Sequence, residues 1–388
     1  MITMRRQLLG LGFVAASSLL AMNAAHALNG PTSIKIDGGP LGDLELSGGV
    51  DGYGYFVSNQ PDGSKNVGTN VGSALIQLQK TDGELQFNIE VGSVGGAIPV
   101  GASGAPGQTT IDNYSTGPLY AGYVTIAPKD MPFTISAGRV GSLEGYESSI
   151  DWNNPSQLVT DIWYVQNSQN TGVEGTYTKG PLTATVLFGD GWDTHVFNFL
   201  QAAVNYSFDD NNSLYVYYAG NLGRTGLSAR TYGWGSDTTV ADYGPWYMNS
   251  QMFGAFYSWT HGNLNVVPEV QYVYAKPDHQ LGIDKYTSNF GAAVFGDYSF
   301  ANTPYSLGGW VEYEKSIGNY TWFVGPESEA VGFAVSPTWQ YKDLFARVNA
   351  GGLYLLNNKA NDGVTYGYGN SGTDKFQFVG TLEAGLLF

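Results

Sequence analysis

Carboxylates outnumber the basic residues of this chain, 33 against 17, and several recur two positions apart among amides. Glu84, Gln86, Asn88 and Glu90 form one row, Glu269 and Gln271 a second, and Glu312 and Glu314 a third. Carboxylates can act as general acids and bases, hold a cation, or set an electrostatic field. Hydrolysis needs a nucleophile with a positioned base beside it. Beyond residue 27 the histidines are His195, His261 and His279, in turns or beside loops. No G-x-S-x-G or H-E-x-x-H run occurs, and no ordered D-x-D-x-D-G run supports a calcium loop. The chain has no cysteine, which excludes disulfides, thiolate metal sites and a lipid-modified cysteine. The sequence therefore predicts no catalytic residue, no cofactor, no metal and no enzyme. What remains is a field.

Strands must position that field. Leu85, Phe87, Ile89 and Val91 oppose the Glu84–Glu90 row. Leu264, Val266, Pro268, Val270 and Tyr272 oppose Asn265, Glu269 and Gln271, with a bulge expected at Pro268, which lacks a ladder donor. Leu344, Ala346, Val348 and Ala350 oppose Arg347 and Asn349. Phe376, Phe378, Leu382, Ala384, Leu386 and Phe388 oppose Gln377, Thr381 and Glu383. A two-residue period is that of a strand with one apolar face. No segment after the N-terminal region is apolar for about 20 residues, as a spanning helix requires. A closed barrel is the other architecture that crosses a bilayer.

Connections sort by length. Short ones include 81–83, 178–180, 261–263 and 342–343; long ones include 58–70, 92–117, 221–246, 276–286, 316–328 and 357–373. Short periplasmic turns and long external loops are the habit of outer-membrane barrels. A plain count finds 17 candidate strands, whereas bacterial single-chain barrels have even numbers. The stretch 157–167 is the weakest, since Asp161 interrupts it and Asn153-Asn154-Pro155 precedes it. The reading is an all-β transmembrane antiparallel barrel of 16 strands, with 18 as the alternative. Residues 140–170 become one long excursion, expected to fold into the lumen as a constriction.

The N-terminal region fits export. Arg5 and Arg6 precede an apolar run from Leu8 to Met22, and Ala25-His26-Ala27 forms a small-residue cleavage site. Residues 1–27 are expected to be a cleaved signal and 28–388 a single barrel domain. The stretch from Leu28 to Leu41 is too short for a plug domain. The chain carries 33 Asp and Glu against 17 Lys and Arg, which disfavours a nucleic-acid partner.

Alternation assigns the inner wall to Glu84, Glu90, Glu174, Glu269, Glu312, Glu314, Arg347 and Glu383. An arginine facing lipid near the midplane would cost about 2–4 kcal/mol, so Arg347 faces inward. The excursion adds Glu144, Glu147, Asp151 and Asp161. Rings of one charge in a pore select the opposite sign, so cations and neutral polar solutes are the expected cargo. Arg139 shares the parity of apolar Phe133 and Ile135, which calls for a bulge or a place at the strand's outer end. Tyr215, Tyr217, Tyr218, Tyr272, Tyr274, Trp310, Tyr313, Trp339 and Tyr341 are expected in interfacial girdles. Phe388 is expected to act as the assembly signal read by the barrel-assembly machinery.

The stretches Ile135-Ser136-Ala137-Gly138-Arg139-Val140, Gly145-Tyr146-Glu147 and Gly189-Asp190-Gly191-Trp192-Asp193 resemble the OmpL-like barrel porins of Gram-negative bacteria. That pattern is a Gly-basic strand end, a Gly-x-Glu loop and a Gly-Trp-Asp turn in this order; Val140 departs from it where an aromatic is expected. The resemblance implies passive passage of small hydrophilic solutes through the bacterial outer membrane, and brings no catalytic residues. Partners would then be outer-membrane lipid and lipopolysaccharide. A homotrimer suits this size, although no segment identifies a trimer face. The second reading is a non-conducting barrel that serves as an adhesin or structural protein of the envelope.

Overall fold

Alternation becomes curvature here: strands with one apolar and one polar face close on themselves. The computed structural model describes residues 28–101, 118–167, 169–227 and 244–388. The expected signal, 1–27, and parts of the loops at 92–117 and 221–246 lie outside the described residues. The strands are β1 (Ile34–Asp37), β2 (Asp43–Val57), β3 (Val67–Lys80), β4 (Leu85–Ser93), β5 (Ile98–Pro99), β6 (Leu119–Ile126), β7 (Phe133–Gly141), β8 (Leu158–Val159), β9 (Gln169–Lys179) and β10 (Leu182–Asp190). They continue as β11 (Phe199–Asp209), β12 (Asn212–Asn221), β13 (Ser250–His261), β14 (Leu264–Ala275), β15 (Thr287–Ser299), β16 (Tyr305–Ile317), β17 (Glu329–Tyr341), β18 (Leu344–Asn357) and β19 (Phe376–Leu387).

All but β1, β5 and β8 form the barrel, which therefore has sixteen strands. Each pairs antiparallel with the next, and β19 closes on β2 through Glu383↔Tyr53 and its neighbours. Closure leaves no exposed edge inside the ring. β1 is an extra strand that pairs with the first residues of β2, Asp43–Leu46. β5 and β8 form a separate parallel pair.

The faces invert the pattern of a water-soluble protein. On β19, Leu382 is 65% exposed and faces outward, while its neighbour Glu383 is 0% exposed. Val348 and Arg347 on β18 repeat the contrast at 49% and 1%. An apolar outer band with a polar interior is the arrangement a bilayer selects. No helix of the described residues is long and apolar enough to cross a membrane.

One local expectation needs correction. The register of β14 with β13 is the same on both sides of Pro268, from Phe256↔Glu269 to Trp259↔Val266, so no bulge forms there. Pro268 points outward and only local pairing is lost, because its missing N–H can be skipped without inserting a residue. Residues 157–167 hold β8 and a short helix, Asp161–Tyr164, capped by the Thr160 side chain on Trp163 N–H.

Candidate functional site

The loop between β7 and β9 is stitched to the inner wall on many sides. Leu143 N–H donates to Gln201 Oε1 of β11 at 2.9 Å, and Tyr215 of β12 donates to Leu143 O at 3.0 Å. Gln271 of β14 donates to Ile162 O at 3.2 Å, and Trp310 of β16 to Leu158 O at 2.6 Å. Ser156 and Gln157 meet Ser336 of β17, Asn349 of β18 and Thr381 of β19. Ser73 of β3 donates to Asp151 Oδ1 at 2.6 Å. The loop backbone also presses on β16 at Gly308, where a Cβ would lie 1.9 Å from Pro155 O. Ile98–Pro99 of the preceding long loop pairs with Leu158–Val159, which adds a second layer of chain.

On the β18–β19 side the charges are mixed. Arg347 forms a two-pronged pair with Glu383, Nε to Oε2 at 2.8 Å and Nη2 to Oε1 at 2.9 Å. Its other donors reach loop carbonyls, Nη1 to Asn154 O at 3.0 Å and Nη2 to Asp151 O at 3.2 Å. The fork geometry of a guanidinium matches a carboxylate and leaves donors over. Arg347 thus fixes the loop as well as the charge of Glu383. Asp51 of β2, which the sequence reading did not select, lies beside this group.

On the β14–β16 side carboxylates stand without a base. Glu312 Oε2 accepts from Asp161 N–H at 2.9 Å, and Glu314 Oε2 from Asn289 at 3.0 Å. Glu269 accepts from Tyr217 Oη at 2.8 Å. Asp161, Glu312 and Glu314 are buried and each retains a carboxylate oxygen without a hydrogen bond. In the loop, burial pushes the Glu147 carboxyl up to about 8, opposed by donors on Thr160 and reinforced by Glu269. Burial likewise pushes Glu144 up to about 8 against donors from Asn167 and Gln201. Asp161 is raised by burial and then by Glu314 and Glu147. Asp297 of β15 was also missed; it is buried and accepts from Asn265 at 3.1 Å.

Other sequence-selected residues lie apart. Glu90 is held by Gln77 at 2.7 Å and Asn88 at 3.0 Å on the β3–β4 wall. Glu174 of β9 is 1% exposed with neither oxygen bonded. Glu84 is an exposed turn residue before β4 that accepts from Lys129 N–H at 3.2 Å, so it sits on the short-turn rim rather than the wall. Phe388 follows the end of β19 and exchanges backbone hydrogen bonds with Gly48 of β2, at 2.9 and 2.8 Å.

Arg139 settles its parity conflict through the residue before it. Gly138 has φ +139°, a conformation that side chains disfavour, and a Cβ there would lie 2.3 Å from Gly122 O. The turn of the chain buries Arg139, whose guanidinium grips Asp193 at 2.6 and 3.1 Å. Two of the three motif segments meet in this ion pair.

The girdle expectation fails for three aromatics. Tyr215, Tyr217 and Trp310 are 4%, 2% and 3% exposed on the inner face. Their polar atoms find partners there, Leu143 O, Glu269 and Leu158 O, which a lipid-facing position would not offer. At the long-loop end, Trp246 packs on Tyr320 and Tyr247 on Trp322, with centroids 4.8 and 4.9 Å apart.

Solved barrels share this architecture. An anion-selective porin from Comamonas acidovorans is 11% identical with a TM-score of 0.57, over 89% of this chain and 99% of that one. The outer membrane channel DcaP of Acinetobacter baumannii is 11% identical with a TM-score of 0.57, over 89% and 97%. OmpT of Vibrio cholerae, an outer membrane protein, is 13% identical with a TM-score of 0.54, over 90% and 98%. Such identities establish the fold alone. A sequence search among curated proteins finds no match. The family described as "Putative beta-barrel porin-2, OmpL-like" matches residues 43–388, so the chain belongs to that family of outer-membrane porins.

Proposed function

We propose that this porin passes small hydrophilic solutes by passive diffusion and favours cations and neutral polar solutes over anions. One observation carries the reading. Glu269, Glu312, Glu314 and Asp161 converge on the β14–β16 side of the lumen, and none of them has a partner among the ion pairs of the described residues. Carboxylates in a low-dielectric pore wall attract cations and repel anions. The Comamonas porin is named as anion-selective; selectivity follows the residues that line a barrel, not its fold. Exported, lipid-embedded placement and the role of Phe388 as an assembly signal belong to the same reading.

A second reading keeps its ground through the 142–168 loop. Hydrogen bonds tie that loop to β3, β11, β12, β14 and β16–β19. A lumen crossed so thoroughly suits a barrel that conducts little and serves the envelope structurally. Single-barrel conductance in planar bilayers separates the two. Discrete conductance steps support diffusion; a silent, correctly folded barrel supports the structural role. Swelling of liposomes in neutral sugars then tests passage of uncharged solutes.

A further inference from the structure

Three carboxylates distant in sequence converge where the 142–168 loop meets the wall. Asp51 of β2, Asp151 of the loop's short 3-10 turn and Glu383 of β19 each bring one carboxylate oxygen within 4.8 Å of the others. Their exposures are 3%, 0% and 0%. Ser73 is wedged between the first two, with N–H to Asp51 Oδ1 at 2.5 Å and Oγ to Asp151 Oδ1 at 2.6 Å. A register shift between β2 and β3, from Val50↔Ala74 to Gly52↔Val71, places Gly72 and Ser73 opposite Asp51 and aims that N–H at the carboxylate.

The remaining oxygens, Asp51 Oδ2 and Asp151 Oδ2, are buried and make no hydrogen bond. A buried carboxylate oxygen without a partner is costly and points to a missing group. Arg347 is the base at this place, and its donors are already engaged by Glu383 and two loop carbonyls. Glycines leave room: a Cβ on Gly72 would lie 2.0 Å from Asp51 Oδ2, and one on Gly96 2.2 Å from Asp151 Cγ.

We propose that Asp51, Asp151 and Glu383 form a divalent-cation site, best matched to calcium, that clamps the 142–168 loop to the barrel wall. The donors are all hard oxygens, which suit calcium or magnesium and not the softer metals. Magnesium dehydrates reluctantly and usually keeps several waters, whereas these three carboxylates are buried, a setting that suits calcium with its flexible all-oxygen coordination. One oxygen from each of the three carboxylates lies within 4.8 Å of the others, close enough for all three to share one ion. Ligands from a strand at each side of the barrel seam and from the loop make the ion a three-way tether. The site stands independently of whether the barrel conducts, because its readout is binding.

The test uses the purified full-length barrel freed of lipopolysaccharide, with terbium as the calcium mimic and Trp152, beside Asp151, as the sensitiser. Calcium should displace terbium and raise the thermal midpoint, and magnesium should do so far less. Asp51→Asn and Asp151→Asn should each weaken calcium binding by about tenfold or more, while Glu84→Gln on the rim should leave it unchanged. Folding of each variant is read from its heat-modifiable migration on a gel. A wild-type barrel with no calcium-displaceable terbium signal overturns the site. So do folded variants that bind calcium like wild type.

Discussion

The two sides of this lumen hold the same residue type in opposite settings. At the β18–β19 side, Glu383 is met by a guanidinium in a two-pronged bond, and that guanidinium also holds loop carbonyls. At the β14–β16 side, Glu312 and Glu314 are met only by an amide and a backbone N–H. The first setting is a joint, since each group there has a geometric duty. On the proposed reading the second is a field, since no cationic side chain pairs with these carboxylates among the described residues. On that reading a carboxylate's partner, not its depth, decides whether it anchors or selects.

Breaking the joint should have the largest effect. Arg347→Ala removes the base and leaves buried carboxylates and loop carbonyls unpaired, at an expected cost of about 3–5 kcal/mol. Urea unfolding in lipid vesicles measures it, and the double variant with Glu383→Leu should recover much of that loss. Next comes the field. Glu312→Gln with Glu314→Gln should lower cation selectivity several-fold, as read from reversal potentials, while the barrel still folds. A large loss of stability with selectivity unchanged would make these residues structural and dissolve the contrast.

The pH dependence has a fixed sign. Burial raises Glu144 and Glu147 from 4.5 in the free state to about 8 in the fold. The native state therefore holds protons that the unfolded chain releases between those values. Stability from these two groups is fully present below about 4.5 and is lost as pH rises through about 8. Cation selectivity should climb over the same upper limb as the groups ionise; recordings at pH 6 and pH 9 check it. The smallest effect is Tyr217→Phe, which removes the donor to Glu269 and should cost about 1 kcal/mol in the same urea assay.

The barrel was legible because its period is two and its environment is binary. Leu382 beside Glu383 and Val348 beside Arg347 announce their faces without any tertiary information. Even parity was enough to disqualify 157–167 as a spanning strand. The sites were less legible, for physical reasons. Tyr215, Tyr217 and Trp310 are amphipathic, so composition does not say whether lipid or lumen receives them. Arg139 follows a glycine whose positive φ breaks the alternation that assigned its face. Asp51, Asp151 and Glu383 come from three separate elements, and only barrel closure and the course of the loop bring them together. No spacing in the chain encodes that meeting.

The central claim is that uncompensated carboxylates set the sign of this lumen's field. It is tested most directly by the zero-current potential of single barrels in a planar bilayer under a KCl gradient. The account predicts a potential of the sign that marks potassium as the more permeant ion, weakened in the Glu312→Gln/Glu314→Gln variant. A potential that marks chloride as the more permeant ion would contradict it.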